Sequence, residues 1–391
     1  MLNKRMVIVL PIVLVVVLLG VPTAHAASLT SVIHHQANSL DTSSLDRQVH
    51  QLVSRHPTVA IPSIGTIVND LLHHRNPFNP MSLLSAIGVA AAGDLATEGR
   101  VLGIIFILAV MGALLGRLAE SVAGSDKTGV VQISRLVVLS ALILVALHSF
   151  ALAVSLVSGV VGDLVHLMEA TIPLLVVLMA GSGAVASAGI FHPIMVATVN
   201  LVAVATKRWV LPMVLYATIT ELVGTWLPRF SLKNLSLLMR QVGLTLLGGL
   251  MTLFLGVMAV QGAAGSVADG VTLKTGKFLA GTFVPVVGKM FADSMEAVFG
   301  SSMLLKNAVS VVGALAIIVT VAFPLVKLFL MMFLYRIGAA ATQPLEVDGV
   351  SQTLSTMATA MGWLVAIAGA VALMFFLVVT VVVTTTNGVQ L

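Results

Sequence analysis

The sequence contains no cysteine and little charge, and each shortage excludes a class of protein. Without cysteine the chain has no disulfide, no thiolate nucleophile and no cysteine-ligated zinc site. Only 9% of its 391 residues are charged, whereas about 25% is usual in soluble domains. A chain of this length could form roughly two or three soluble domains, but it lacks the polar side chains to cover them. A soluble protein is therefore excluded.

The chain has long apolar runs instead. Hydrophobic residues make up 58% of the sequence, and several runs reach the length of about 18 residues that crosses a ~30 Å hydrocarbon core as a helix. The net charge of +5 comes from lysines and arginines that lie singly or in pairs at the edges of these runs, as the positive-inside rule expects. The sequence predicts an all-α, polytopic helical membrane protein that contacts membrane lipid and no nucleic acid.

The N-terminus has the pattern of a secretory signal peptide. Lys4 and Arg5 precede an apolar stretch from Val7 to Val21, and Ala24-His25-Ala26 supplies a small-x-small cleavage pattern. We expect residues 1–26 to be removed by cleavage between Ala26 and Ala27; the alternative is an uncleaved first helix. In either case the following segment is predicted to lie outside the cytoplasm.

Residues 27–99 form the only substantially polar region and are predicted to be an extracytoplasmic, amphipathic segment. Ser44 has the character of an N-cap, and Leu45, Val49 and Leu52 follow at helical spacing. Seven of the ten histidines lie before residue 75. They allow a metal site or a solvated surface; the absence of an accompanying acidic cluster favours the surface, and we expect no metal or cofactor.

Residues 100–391 are predicted to form a polytopic domain with about seven transmembrane helices. A connection at 162–170 without lysine or arginine is expected outside the cell, and His192-Pro193 is expected to interrupt the chain. The segment 194–205 is predicted to be a half-helix or one arm of a hairpin with Lys207-Arg208 at its tip. Residues 261–307 are predicted to be a loop, an interfacial helix or a re-entrant segment. The predicted spans are 101–118, 136–160, 172–190, 209–225, 237–260, 308–334 and 361–383.

Charged residues inside apolar runs are costly and mark candidate functional positions. Lys327, three residues after Pro324, either lines a polar cavity opened by the proline or extends its ammonium to the cytoplasmic interface. Glu221 is expected to pair with Arg229 at a span end. Another candidate charged face is formed by Lys289, Asp293 and Glu296.

Similar runs around Pro173 and Pro285 suggest a duplicated unit. Its halves would be about 100–230 and 231–391, and broken repeats of this kind build substrate sites in many transporters.

Two enzyme classes are disfavoured by spacing. The run from Gly270 to Phe278 has five residues between its glycines and no hydroxyl after Lys277, so it does not fit a phosphate-binding loop. The His-Glu-x-x-His motif is absent. A serine protease built on Ser182 and His192 is less plausible than a packing role for Ser182, because it lies in a run of small residues. We expect no enzymatic activity.

Two longer motifs are more specific. The first runs from Gln261 to Asn307 and contains Gln-Gly-Ala-Ala-Gly-Ser-Val-Ala-Asp-Gly, Pro-Val-Val-Gly-Lys-Met-Phe-Ala-Asp and, at its end, Leu-Leu-Lys-Asn. The second is Gly-Ser-Gly-Ala-Val-Ala-Ser-Ala-Gly-Ile-Phe-His-Pro, from Gly181 to Pro193. Both closely resemble the signature of the stage III sporulation protein AE family, and the likeness runs from about residue 40 to the C-terminus. The candidate site residues in these motifs, together with Lys327, are Gly181, Gly183, His192, Pro193, Gln261, Gly262, Asp269, Gly270, Lys277, Pro285, Gly288, Lys289, Asp293, Lys306 and Asn307.

The resemblance implies a subunit of the transenvelope channel or secretion-like complex of endospore-forming bacteria, in the mother-cell membrane around the forespore. Implied partners are ring-forming stage III proteins, a separate cytoplasmic ATPase and stage II sporulation protein Q; a homo-oligomer is also allowed. The alternative is a stand-alone secondary transporter of a small solute, which would need paired charges at mid-depth, for example around Lys327.

Overall fold

A computed structural model of the chain describes residues 40–55, 61–73, 80–122, 127–226, 232–283, 287–345 and 349–387. Within these ranges every regular element is a helix. The helices are α1 (Ser43–Arg55), α2 (Ile64–Leu72), α3 (Pro80–Val122), α4 (Lys127–Gly181), α5 (Val185–Ala205), a π-helical segment (Thr206–Val210), α6 (Leu211–Trp226), α7 (Lys233–Phe283), α8 (Val287–Thr342), a 3₁₀ turn (Gln343–Leu345) and α9 (Val350–Asn387). The predicted signal peptide and its cleavage site at Ala26 and Ala27 lie outside these residues.

The prediction of an all-α, multi-pass membrane protein is confirmed. Among the described residues, five helical stretches are long and apolar enough to cross a membrane. They are Leu136–Gly181, Val185–Thr225, Lys233–Gln261, Val298–Thr342 and Val350–Val382.

At the centre of the fold α8 packs antiparallel to both α4 and α9. The contact between α8 and α9 is the most extensive, and both helices also pack against α4. Their shared core includes the fully buried Phe150 and Phe375. Near one end Gly181 lies beside Ser302, and farther along Gly313 lies beside Thr171, so close approach depends on residues without a side chain.

The turn between α4 and α5 is formed by a Schellman motif. The amide of Ala184 donates to the carbonyl of Met179 (3.0 Å) and that of Gly183 donates to Ala180 (3.1 Å). Gly183 has a φ of 92°, a left-handed conformation that glycine adopts at little cost. The predicted interruption at His192-Pro193 is wrong, since Pro193 lies inside α5 and removes only one backbone hydrogen bond.

The predicted external connection at 162–170 is also wrong, because α4 runs without a break from Lys127 to Gly181. The span predicted at 136–160 and residues 172–181 of the next predicted span are therefore parts of one helix, whereas residues 182–190 form the following turn and the start of α5. Pro173 lies inside it, and Asp163, which suggested a loop, has an ion-pair partner on another helix.

The predicted half-helix at 194–205 belongs to a longer helical stretch. After α5 the chain passes through five residues of π-helix and continues as α6, so Lys207-Arg208 lies within the stretch and not at a hairpin tip. A π-helical turn accommodates an extra residue without ending a helix.

Other boundaries differ in the same direction, towards longer helices. Helix α1 begins at Ser43 and not after a Ser44 cap; Asp41 accepts a hydrogen bond from the Ser43 amide. Helix α3 begins at Pro80, a favoured first position, and continues through residue 100. The backbone is helical over 261–283 and 287–307, where a loop was one prediction. The last helix begins at Val350, eleven residues before the predicted span.

Candidate functional site

The main candidate site is a cavity of about 970 Å³ between α1, α3, α4 and α8, here termed the ion-pair cavity. Along α4 it extends from Val145 to Asp163, about 27 Å at the helical rise. Its volume lies in the range of pockets that bind small molecules. Most of its wall is apolar, and the polar or charged residues in it are Arg55, Asp94, His148, Ser149, Ser155, Asp163, Thr320 and Lys327.

The first ion pair of the cavity joins α8 to α3. The ammonium Nζ of Lys327 lies 3.7 Å from Oδ1 of Asp94. Both side chains are about two-thirds buried, with exposed fractions of 35% and 31%. The structure therefore places Lys327 beside a carboxylate in a largely apolar cavity.

The second ion pair joins α1 to α4. Nη1 of Arg55 donates to Oδ2 of Asp163 at 2.7 Å, a charge-assisted hydrogen bond of normal length. Arg55 and Leu52 line the cavity from α1, whose Leu45 is fully buried in the main core. The short amphipathic helix thus covers one end of the cavity.

A proline interrupts the backbone hydrogen bonding of α8 beside the cavity. Pro324 lies inside this helix and lines the cavity. Because proline has no N–H, the carbonyl of Thr320, four residues earlier, lacks the donor that the helix would otherwise supply. The hydroxyl of Thr320 donates to Ala316 (2.7 Å).

A second polar cluster joins α6, α7 and α9. Oε2 of Glu221 accepts a hydrogen bond from Arg240, and Oε1 accepts one from Thr356 (3.2 Å). Arg229, the partner expected for Glu221 from the sequence, lies outside the described residues, so that pairing stays a prediction. Glu221 and Arg240 are mostly buried, so the cluster connects three helices through a partly desolvated charge pair.

A third polar group is the fully buried Lys306 of α8. Its ammonium donates to the carbonyl of Val382 in α9 (3.2 Å), close to the end of that helix. This contact ties α8 to the last turns of α9.

Two comparisons bear on the family of this chain. The family model for stage III sporulation protein AE matches residues 62–386. The protein named Stage III sporulation protein AE in Bacillus subtilis (strain 168) is 30% identical over 363 residues, which cover 93% of this chain and 90% of that protein. The chain belongs to the stage III sporulation protein AE family. It is thus a multi-pass membrane protein with a role in sporulation. No solved structure matches it.

The motif at 181–193 has a structural explanation in this family member. Gly181 leaves room for Ser302, since an added Cβ would lie 2.7 Å from the Ser302 hydroxyl. Gly183 provides the left-handed turn. His192 is exposed on α5 and Pro193 lies within that helix. The motif therefore forms the tight α4–α5 turn, within its run of small residues and before Pro193.

The longer family motif at 261–307 is described only in part. Gln261 is buried, and its amide atoms have no hydrogen-bond partner among the described residues. The same holds for Oδ1 of Asn307. The backbone is helical at several other motif positions, but their side chains lie outside the described part of the structure, and Pro285 lies outside it entirely. These positions are Gly262, Asp269, Gly270, Lys277, Gly288, Lys289 and Asp293. The proposed repeat therefore stays a prediction.

The two enzyme alternatives gain no geometric support in this family member. The segment Gly270 to Phe278 has a helical backbone, whereas a phosphate-binding loop must wrap around the phosphates. The hydroxyl of Ser182 donates to the Met179 carbonyl at 2.8 Å, which engages it with the backbone of its own turn.

Sequence reasoning missed three of the four charged residues of the ion-pair cavity. Arg55 and Asp94 were not singled out, and Asp163 was placed in a loop. Asp94 is the only charged residue of the apolar stretch Leu84–Ala96. A lone carboxylate in such a stretch is a signal that could have been matched with Lys327.

Proposed function

We propose that this family member is a membrane-embedded subunit of an assembly that connects the mother cell with the forespore, located in the mother-cell membrane around the forespore. The supporting observation is the length of its exposed apolar surface. On α4, Val137 (63% exposed) and Val177 (58% exposed) lie forty positions apart, about 60 Å along a helix.

One bilayer is too thin to cover this surface. Its hydrocarbon core is about 30 Å thick, and a tilt of about 40° lengthens the path to only about 39 Å. Exposed apolar side chains on the remaining length require another cover. Contact with a partner protein would bury these side chains in a subunit, because large exposed apolar patches mark interaction surfaces.

The proposed partners are ring-forming stage III proteins, a separate cytoplasmic ATPase, stage II sporulation protein Q and further copies of this chain. The membrane part would anchor the assembly and contribute helices to its path between the two cells.

The proposed orientation places the N-terminus of the mature chain outside the cytoplasm. A Cβ on Gly349 would lie within 3.4 Å of Leu139 and Thr225, so the first part of α4, the end of α6 and the start of α9 share one end of the fold. Arg336, near the end of α8, and Lys233, at the start of α7, are close in sequence to this end of the fold. The turn at 182–184, at the opposite end, contains no lysine or arginine. The positive-inside rule then assigns the Gly349 end to the cytoplasm.

Photo-crosslinking from two positions of α4 tests the proposal. A photoreactive side chain at exposed Val177, in the extracytoplasmic half, is expected to form adducts with other proteins in sporulating cells. The same group at exposed Leu144, in the other half, is expected to contact lipid. Vegetative cells serve as the control, and in them neither position should form adducts with these proteins. Absence of protein adducts from both positions in sporulating cells would contradict the proposal.

The second candidate function is a stand-alone transporter, and the ion-pair cavity favours it. Paired charges inside an apolar cavity are the arrangement that this function requires. Uptake of a solute by liposomes that contain only the purified chain would support this candidate over a subunit role.

A further inference from the structure

A π-helical segment with two cations lies within the long apolar stretch formed by α5 and α6. The segment Thr206–Val210 carries Lys207 and Arg208, and both side chains are exposed. In the part of the chain that the structure describes, neither side chain forms an ion pair. Trp209, which follows them, is 58% exposed. Exposed cations are costly in hydrocarbon, and cations beside a tryptophan are typical of the surface of a membrane.

Helix α4 is charged at the same level of the fold. A Cβ on Gly162 would lie 2.9 Å from the Lys207 ammonium, so the π-helical segment lies against this point of α4. The next residue, Asp163, pairs with Arg55 of α1 at 2.7 Å. Four charged residues therefore lie at about one level, here termed the charged belt: Arg55, Asp163, Lys207 and Arg208. Its charge is net positive, because two cations add to a neutral ion pair.

A second contact marks a level one bilayer away from the charged belt. A Cβ on Gly349 would lie within 3.4 Å of Leu139 and Thr225. From Lys207 to Thr225 the chain advances 18 positions, about 27 Å along a helix. From Leu139 to Gly162 α4 advances 23 positions, about 35 Å. Both lengths match a hydrocarbon core of about 30 Å.

Helix α6 has the sequence of a membrane span between these two levels. Trp226, its last residue, is 17 positions from Trp209, about 26 Å along a helix. Tryptophan is enriched at both surfaces of a membrane. Lys233, which begins α7, adds an exposed cation beyond the second tryptophan. The bilayer therefore fits between the charged belt and the Gly349 end, and α5 extends beyond it.

We propose that the charged belt lies at one surface of the bilayer, where Lys207 and Arg208 bind an anionic phospholipid. The lipid phosphate lies against the two cations, and the acyl chains extend towards the Gly349 end, past exposed side chains of α6 such as Tyr216. An anionic lipid fits because cations at a membrane surface attract anionic headgroups. The next acidic residue of α4, Glu169, lies farther from the Gly349 end and pairs with His166.

This inference goes beyond the proposed subunit role and does not rest on it, because the purified chain carries the whole belt. It also holds for either orientation of the chain in the membrane, since it states only which part of the fold the bilayer surrounds.

Quenching of Trp209 by brominated lipids reports which lipid lies beside the belt. In a full-length chain with Trp226→Phe and Trp363→Phe, Trp209 is the only tryptophan left. We expect brominated phosphatidylglycerol to quench it more strongly than brominated phosphatidylcholine at equal fractions in vesicles. Lys207→Gln with Arg208→Gln should lower the relative affinity for phosphatidylglycerol by about tenfold or more, because each cation near the surface contributes about 1 kcal/mol, or about fivefold.

The matched control exchanges the two cations. Lys207→Arg with Arg208→Lys keeps both charges and should keep the preference for phosphatidylglycerol. Equal quenching by the two lipids with the belt unmodified would overturn the proposal. An unchanged preference in the variant that lacks both cations would overturn it as well.

Spin labels on either side of the belt test where the bilayer lies. Leu201 and Tyr216 are both exposed, about 9 Å before Lys207 and about 12 Å after Arg208 along the helix. In nanodiscs, a label on Tyr216→Cys should collide mainly with oxygen, which concentrates in hydrocarbon. A label on Leu201→Cys should collide mainly with a water-soluble nickel chelate.

The reverse pattern, or a preference for oxygen at both positions, would overturn the proposal. This measurement changes neither the belt nor the tryptophans, so it decides even if those variants fail to fold. Protein adducts in sporulating cells test the subunit role separately, so either proposal can fail while the other stands.

Discussion

At the scale of single residues, the glycines of the 181–193 motif have different roles. Gly181 allows close helix packing and Gly183 has a left-handed backbone, whereas Gly189 has open space around its Cα. A shared motif therefore combines positions that need glycine with at least one that tolerates a side chain.

This difference gives a stability prediction. Gly183→Ala should destabilise the purified protein by about 1 kcal/mol or more, because alanine in a left-handed conformation is strained. Gly189→Ala, within α5, should be neutral or stabilise by up to about 1 kcal/mol. Thermal unfolding in detergent measures both. Equal destabilisation by the two changes would contradict the assigned turn.

The Glu221 cluster gives a second prediction at this scale. Glu221→Ala removes the acceptor of both Arg240 and Thr356 and leaves a mostly buried guanidinium without this carboxylate. We expect a loss of about 1–3 kcal/mol in unfolding free energy. Glu169→Ala is the control, since Glu169 pairs only at the surface with His166 and should cost less than about 0.5 kcal/mol. Similar losses for both variants would show that the cluster contributes nothing particular to stability.

At the scale of elements, the sequence predicted helix type well and helix ends poorly. Apolar runs identify α4 because its core positions are hydrophobic throughout. The acidic residue Asp163, without a neighbouring lysine or arginine, suggested a loop between two spans, because its ion pair with another helix cannot be seen in a linear sequence. The structure shows that Arg55, far away in sequence, pairs with Asp163, and one proline costs a long helix only one hydrogen bond. For the same reason the cavity could not be predicted from the sequence, because its described charged residues come from four separate helices.

A distance measurement tests the continuity of α4. The chain has no natural cysteine, so Leu144→Cys and Val177→Cys can be spin-labelled together. Both positions are exposed, and their spacing of 33 positions predicts a separation of about 50 Å. Two antiparallel spans joined at 162–170 would bring the labels within about 25 Å, and such a distance by double electron–electron resonance would contradict one helix.

At the scale of the whole molecule, the orientation is open to direct labelling. Val185, at the start of α5, and Gln343, after α8, are exposed near opposite ends of the fold. We expect Val185→Cys to react with an impermeant maleimide added outside the cell, and Gln343→Cys to react only after permeabilisation. The reverse pattern would invert the proposed topology while leaving the fold unchanged.

The central claim is that the long apolar surface is covered by partner proteins during sporulation. It is tested most directly by purifying the tagged chain from sporulating cells in mild detergent and identifying what co-purifies by mass spectrometry. The account predicts other stage III sporulation proteins in amounts comparable to the chain itself, and their absence from a matched preparation of vegetative cells expressing it. A chain that purifies alone from sporulating cells, as a monomer surrounded by detergent, would contradict the claim.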